Sequence, residues 1–79
     1  GIVLSMSTPL RIGTVGAGFI AGVVAAAVRD SASAVNAAVA SRSRGSADAL
    51  AAAYAIPHVF DTWQELVASD TVDAVYVAT

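Results

Sequence analysis

The 79-residue sequence predicts an α/β fold: the first half of a doubly wound parallel Rossmann sheet, truncated, with elements in the order β-α-β-α-β-α-β. Three observations carry this prediction. Apolar runs of strand length alternate with segments of helical period. The runs are almost continuously apolar, as strands covered on both faces of a parallel sheet must be. A glycine-rich turn joins the first run to the first helical segment.

Residues 10–15 read as the first strand, with Leu10, Ile12 and Val15 apolar and Gly16 ending the run. Between Phe19 and Arg29 the period changes. Ile20, Val23, Val24 and Ala27 fall at i, i+3, i+4 and i+7, which predicts a helix buried along that stripe until Asp30 and Ser31 break it. Residues 35–40 form a second apolar run, closed by Ser41, Arg42, Ser43, Arg44 and Gly45. Ser46 is the expected N-cap of the next helix, with Asp48 complementing its dipole. Ala47, Leu50, Ala51 and Tyr54 share a face of that helix, and Pro57 ends the segment. His58, Val59 and Phe60 make a brief third strand. Thr62 and Glu65 then have capping-box spacing, and Trp63, Leu66 and Val67 are the expected buried face of the third helix. Residues 73–78 read as the last strand, with Tyr76 in the core or facing a helix.

Composition narrows the function classes. A net charge of −2 gives no electrostatic reason to expect nucleic acid or an anionic membrane as a partner. Hydrophobic content of 57% exceeds the roughly 45–50% of an ordinary soluble domain, but much of the excess is alanine. Residues 12–28 are uncharged and contain Gly18 and Gly22 at a spacing used by packed membrane helices. That stretch is at the lower limit of the roughly 17–25 residues needed to span a bilayer. Its four glycines each cost about 1 kcal/mol in a helix interior, so no membrane partner is expected. Cysteine is absent, which fits a reducing compartment, and residues 1–10 lack the basic region of a secretory signal. A cytoplasmic location is expected. Met6 resembles a natural start with residues 1–5 upstream of it; residues 1–9, before the first strand, are read as an N-terminal extension and residues 10–79 as a partial nucleotide-binding domain.

The chemistry concentrates at Gly16-x-Gly18-x-x-Ala21, which follows a strand and opens a helix. Gly16 permits the tight turn, Gly18 lets the backbone approach a pyrophosphate, and Ala21 allows close packing of helix on strand. Free amides at Phe19 and Ile20 would face the phosphates, aided by the helix dipole. The alternative is a glycine turn that serves packing only.

At the end of the second strand, where a carboxylate commonly hydrogen-bonds the adenosine ribose 2′-hydroxyl, Ser41 and Arg42 stand instead. Arg42 could pair with a 2′-phosphate, which favours NADP, stack on adenine, which suits either cofactor, or stand solvated at the start of the next helix. His58, the single histidine, has no neighbouring carboxylate in sequence and reads as a surface or packing residue. Trp63 and Tyr54 read as core, and Asp70 and Asp73 as solvated turn residues. No metal-ligand cluster or catalytic set can be assembled.

These segments resemble the Gfo/Idh/MocA oxidoreductases, relatives of glucose-fructose oxidoreductase and inositol dehydrogenase. The resemblance runs from Leu10 through the glycine turn to Ala21. It continues in Ala38-Val39-Ala40-Ser41-Arg42-Ser43, Tyr54-Ala55-Ile56-Pro57, Trp63-Gln64-Glu65-Leu66 and residues 72–79. It implies an NAD(P)-dependent oxidoreductase acting on a sugar, polyol or related carbonyl or hydroxyl substrate. Gly16, Gly18, Phe19 and Ile20 would line the pyrophosphate, Ser41 and Arg42 would meet the adenosine ribose or its phosphate, and Ala78-Thr79 would approach the cofactor. The family's catalytic lysine belongs to a Glu-Lys-Pro motif placed after this point, before a separate substrate domain. The chain contains no lysine, so no catalytic residue is assigned within it. The whole protein is expected to be a homo-oligomer. A nucleotide-sensing or structural Rossmann protein is the alternative.

Overall fold

The computed structural model describes residues 9–16 and 18–78; residues 1–8 of the expected extension, Ala17 and Thr79 lie outside that set. Seven elements follow one another: β1 (Leu10–Val15), α1 (Phe19–Arg29), β2 (Ala34–Ala40), α2 (Arg44–Tyr54), β3 (His58–Phe60), α3 (Trp63–Ala68) and β4 (Ala74–Val77). The strands form one sheet in the order β3-β2-β1-β4, and every neighbouring pair is parallel. Successive strands step outward from β1 to β3. The chain then returns to pair β4 on the other side of β1, which creates the switch point at which open α/β sheets bind ligands.

Alternation along β2 divides the core into two layers. Val39 points to one face, where it packs with Ala21 and Ala25 of α1, Ala47 and Leu50 of α2, and Ile56. Ala38 and Ala40 point to the other, against Leu66 of α3, with Val15, Phe60 and Val72 around them. Small residues set these distances. Gly13 has no Cβ, and one placed there would lie 2.8 Å from Leu66 Cδ2 and 2.9 Å from Val72 Cγ1. The register between β1 and β2 shifts at Ile12/Gly13, directly beside this contact.

Several packing expectations are corrected. In α1 the buried residues are Ala21 and Ala25, while Ile20 and Val23 are about half exposed and Ala27 is exposed. An alanine-rich helix carries more than one apolar stripe, and the stripe with the smallest side chains brings its axis closest to the sheet. In α3, Leu66 is fully buried, but Trp63 and Val67 are exposed. A helix of six residues presents little more than one position to the core. Tyr76, with Val75 and Val77, is exposed because, among the described residues, no helix packs substantially over β4, which pairs with β1 on one side. Tyr54 is only partly buried, and the Arg29 guanidinium carbon lies 5.4 Å from its ring centre.

Capping differs between the helices. The N-cap of α2 is Ser43, not Ser46: Ser43 Oγ accepts the Ser46 backbone N–H at 3.3 Å, and the helix begins at Arg44. Asp48 consequently lies beyond the first turn, where it pairs with Arg44 across one turn at 3.1 Å. The capping box of α3 forms as expected: Thr62 Oγ1 accepts from the Glu65 amide, and Glu65 Oε1 accepts from the amides of Thr62 and Asp61.

Candidate functional site

The carboxyl ends of β1, β2 and β4 meet along one edge of the sheet, tied by backbone bonds. The Gly16 amide donates to the Ala40 carbonyl at 2.7 Å, and the Ala78 amide to the Val15 carbonyl at 2.8 Å. A cleft of about 920 Å³ opens above these ends. Its walls come from the turn after β1, the loop after β2 and the segment after β3.

Gly16 has φ of 106°, a conformation L side chains rarely adopt, so the turn out of β1 depends on glycine there. Gly18 is the N-cap of α1, in extended conformation. Having no side chain, it leaves the first amides of the helix uncapped, and a Cβ added there would meet only open space. The other two helices are capped by Ser43 and Thr62. The amide-rich end of α1 therefore opens beside the cleft with room for a ligand's backbone-close approach, a geometry suited to an anion such as a pyrophosphate.

Of the sequence-predicted residues, Gly16, Gly18, Ser41 and Arg42 line the cleft together. Phe19 and Ile20 stand in the first turn of α1 with exposed side chains, Phe19 at 83%, and are not among the residues that line the cleft. Thr79 lies outside the described residues; its neighbour Ala78 lines the cleft. Ser41 Oγ accepts the Ser43 amide at 3.2 Å, which shapes the loop that carries Arg42.

Charge pairing separates Arg42 from the other arginines. Arg11 is held by Asp73, Arg29 by Asp30, and Arg44 by Asp48 and Asp61. These contacts raise the pKa of each paired guanidinium, chiefly through the side-chain hydrogen bonds. Among the described residues, Arg42 is the arginine without a carboxylate partner, and it lines the cleft.

Asp61, Thr62, Trp63 and Gln64 also line the cleft, and sequence reasoning did not place them there. Trp63 in particular, expected in the core, is 54% exposed on this wall. The signal was available: β3 is parallel to β2, so the residues after Phe60 must emerge on the same edge as Ser41. His58, at the opposite end of β3, is exposed and stacks on Phe60 with ring centres 6.5 Å apart.

Comparison with known proteins agrees with this geometry. The family model of Gfo/Idh/MocA oxidoreductases, described as an oxidoreductase family with an NAD-binding Rossmann fold, matches residues 10–79. The chain belongs to this family. It is similar to GenD2 from gentamicin A biosynthesis, crystallised with NAD, at 32% identity and a TM-score of 0.84, covering 100% of this chain and 23% of GenD2. A candidate myo-inositol dehydrogenase from Sinorhizobium meliloti 1021 shares 38% identity with a TM-score of 0.82, over 89% of this chain and 21% of that one. The K102A variant of KijD10, a 3-ketoreductase from Actinomadura kijaniata in complex with TDP-benzene and NADP, shares 29% identity with a TM-score of 0.84, over 91% and 23%. The Gfo/Idh/MocA chain described here thus spans less than a quarter of the length of these structures. No curated protein matches its sequence. Among the described residues no helix is long and apolar enough to cross a membrane.

Proposed function

We propose that the chain holds the adenosine and pyrophosphate portions of a nicotinamide dinucleotide, preferring NADP to NAD. It would be the cofactor-binding part of an oxidoreductase acting on a sugar, polyol or related carbonyl or hydroxyl compound. The observation that carries this reading is Arg42, without a carboxylate partner among the described residues, beside Ser41 at the carboxyl end of β2, in a cleft that Gly16 and Gly18 also line. In this assignment Gly16 turns the chain so that the amides of Phe19 and Ile20 face the pyrophosphate, and Gly18 keeps that approach free of a side chain. Arg42 takes the adenosine 2′-phosphate through its guanidinium, and Ser41 hydrogen-bonds the ribose. Thr79 would approach the cofactor from the end of β4.

When bound, the nicotinamide supplies the hydride acceptor or donor. The residues of this chain orient the dinucleotide and offset its phosphate charge, and none of them is assigned a proton-transfer role. Catalytic groups and the substrate domain belong to other parts of the whole protein, which we propose to be a cytoplasmic homo-oligomer. The neighbours support a nicotinamide dinucleotide without choosing between forms, since GenD2 was crystallised with NAD and KijD10 with NADP. Calorimetric titration of the intact protein with each cofactor tests the choice. Tighter binding of NADP is expected. Equal or tighter binding of NAD overturns the preference, and binding of neither overturns the cofactor reading.

A further inference from the structure

Arg44 stands at the first position of α2, two residues after Arg42, and its guanidinium spans two carboxylates. Its Nε donates to Asp48 Oδ1 at 3.1 Å, and its Nη1 donates to Asp61 Oδ1 across the gap between α2 and the end of β3. Asp61 matters because of where it lies. Among the residues lining the cleft, Arg42 is the cation and Asp61 the carboxylate. An unheld Asp61 would set a negative charge on the same cleft wall system as Arg42 and oppose a doubly charged 2′-phosphate there. Glu65 is turned onto the amides of Asp61 and Thr62 by the capping box. The Asp61 backbone is thus held from one side and its carboxylate from the other.

We propose that Arg44 is a positioning residue for cofactor selection: it draws the Asp61 carboxylate onto α2 and, shared with Asp48, offsets part of its charge, so that the acid of the cleft opposes Arg42 less at the adenosine ribose. This rests on the assignment of the cleft to a nicotinamide dinucleotide. Arg44 itself touches no cofactor in this scheme; it acts through Asp61. Because the pair is solvent-exposed, with side chains 53% and 69% accessible, the effect is modest and sensitive to salt.

The test is the ratio of NADP to NAD dissociation constants in the intact protein carrying Arg44→Gln, Asp61→Asn or both. Arg44→Gln is expected to weaken NADP by about two- to fivefold relative to NAD at low ionic strength. Asp61→Asn added to it is expected to restore the ratio. Arg44→Lys keeps the charge but not the two-carboxylate fork, and its ratio should lie between those of the parent and Arg44→Gln. Equal weakening of both cofactors by Arg44→Gln, or no restoration in the double variant, overturns the inference, because a general structural role would not move the ratio in this way. Loss of NAD binding on Asp61→Asn alone also overturns it, since Asp61 would then touch the ribose itself. Failure of the parent to bind either cofactor overturns the cofactor reading and this inference with it, whereas an unmoved ratio overturns only the inference.

Discussion

Arg11 and Asp73, 62 residues apart in sequence, are joined by three hydrogen bonds from Arg11: its Nη2 to Oδ1 at 2.8 Å, its Nε to Oδ2 at 3.1 Å and its backbone N–H to Oδ2 at 2.9 Å. The Asp73 backbone amide answers by donating to the Arg11 carbonyl at 2.7 Å. The contact locks the entry of β4 to β1, and so sets the level at which Ala78 reaches the cleft at the far end of the strand.

This pairing gives stability a definite pH dependence. The Arg11 side chain, and then its backbone amide, hold the Asp73 carboxyl down to about 2, from an ordinary value of 3.8. A carboxylate whose folded pKa lies below its unfolded one stabilises the fold above the unfolded value and loses that contribution as pH falls through the folded one. Asp73 should therefore contribute fully above pH 4 and lose its contribution between about 4 and 2. Asp73→Asn is expected to lower stability at neutral pH and to flatten this part of the profile, read by denaturant unfolding at a series of pH values. An unchanged profile would show that another carboxylate governs acid sensitivity.

Gly13→Ala is expected to cost about 1–3 kcal/mol of stability, because the new methyl group would overlap Leu66 Cδ2 and Val72 Cγ1 and force both side chains to shift. Leu66 is fully buried, so its side chain has little freedom to move aside. Val72→Ala in the same chain should recover part of the loss, a coupling that a double-mutant cycle measures.

Gly16→Ala should fail for a different reason. At φ of 106° the strain falls on the backbone itself, about 1–3 kcal/mol, and no neighbouring truncation relieves it. Dinucleotide affinity should fall alongside stability as the turn relaxes. Retained affinity at reduced stability would show that the turn serves packing alone.

Arg42→Ala is expected to weaken NADP by about tenfold or more, the scale of a charge-assisted hydrogen bond, and to leave NAD nearly unchanged. Calorimetric titration with both cofactors reads this directly. Equal loss for the two would mean that Arg42 stacks on adenine and does not read the 2′-phosphate.

Element order and the location of the turn were legible in the sequence because both rest on local properties. The first strand over residues 10–15, the helix from Phe19 to Arg29, the strand His58–Phe60 and the Thr62–Glu65 box all form where periodicity and turn chemistry put them. Helix faces were less legible. Ile20, Val23 and Ala27 satisfy the helical period as well as Ala21 and Ala25 do, and period does not say which stripe meets a sheet. Trp63 and Tyr76 were misplaced for a related reason: apolarity says that a side chain can be buried, not that a neighbour is present to bury it.

By itself the sequence determined the β-α alternation, the parallel sheet it forces, and the residues at the glycine turn and at the end of the second strand. These follow from bonds between near neighbours and from backbone conformations that glycine alone adopts readily. Only the tertiary structure decided which charges are spent. Arg29 pairs with its sequence neighbour Asp30 and Arg44 with Asp48 one helical turn on, but Asp73 reaches Arg11 only by pairing of β4 with β1, and Asp61 reaches Arg44 only by the return of β3 beside β2. Coulombic pairing depends on distance in space, and that distance is set by the sheet.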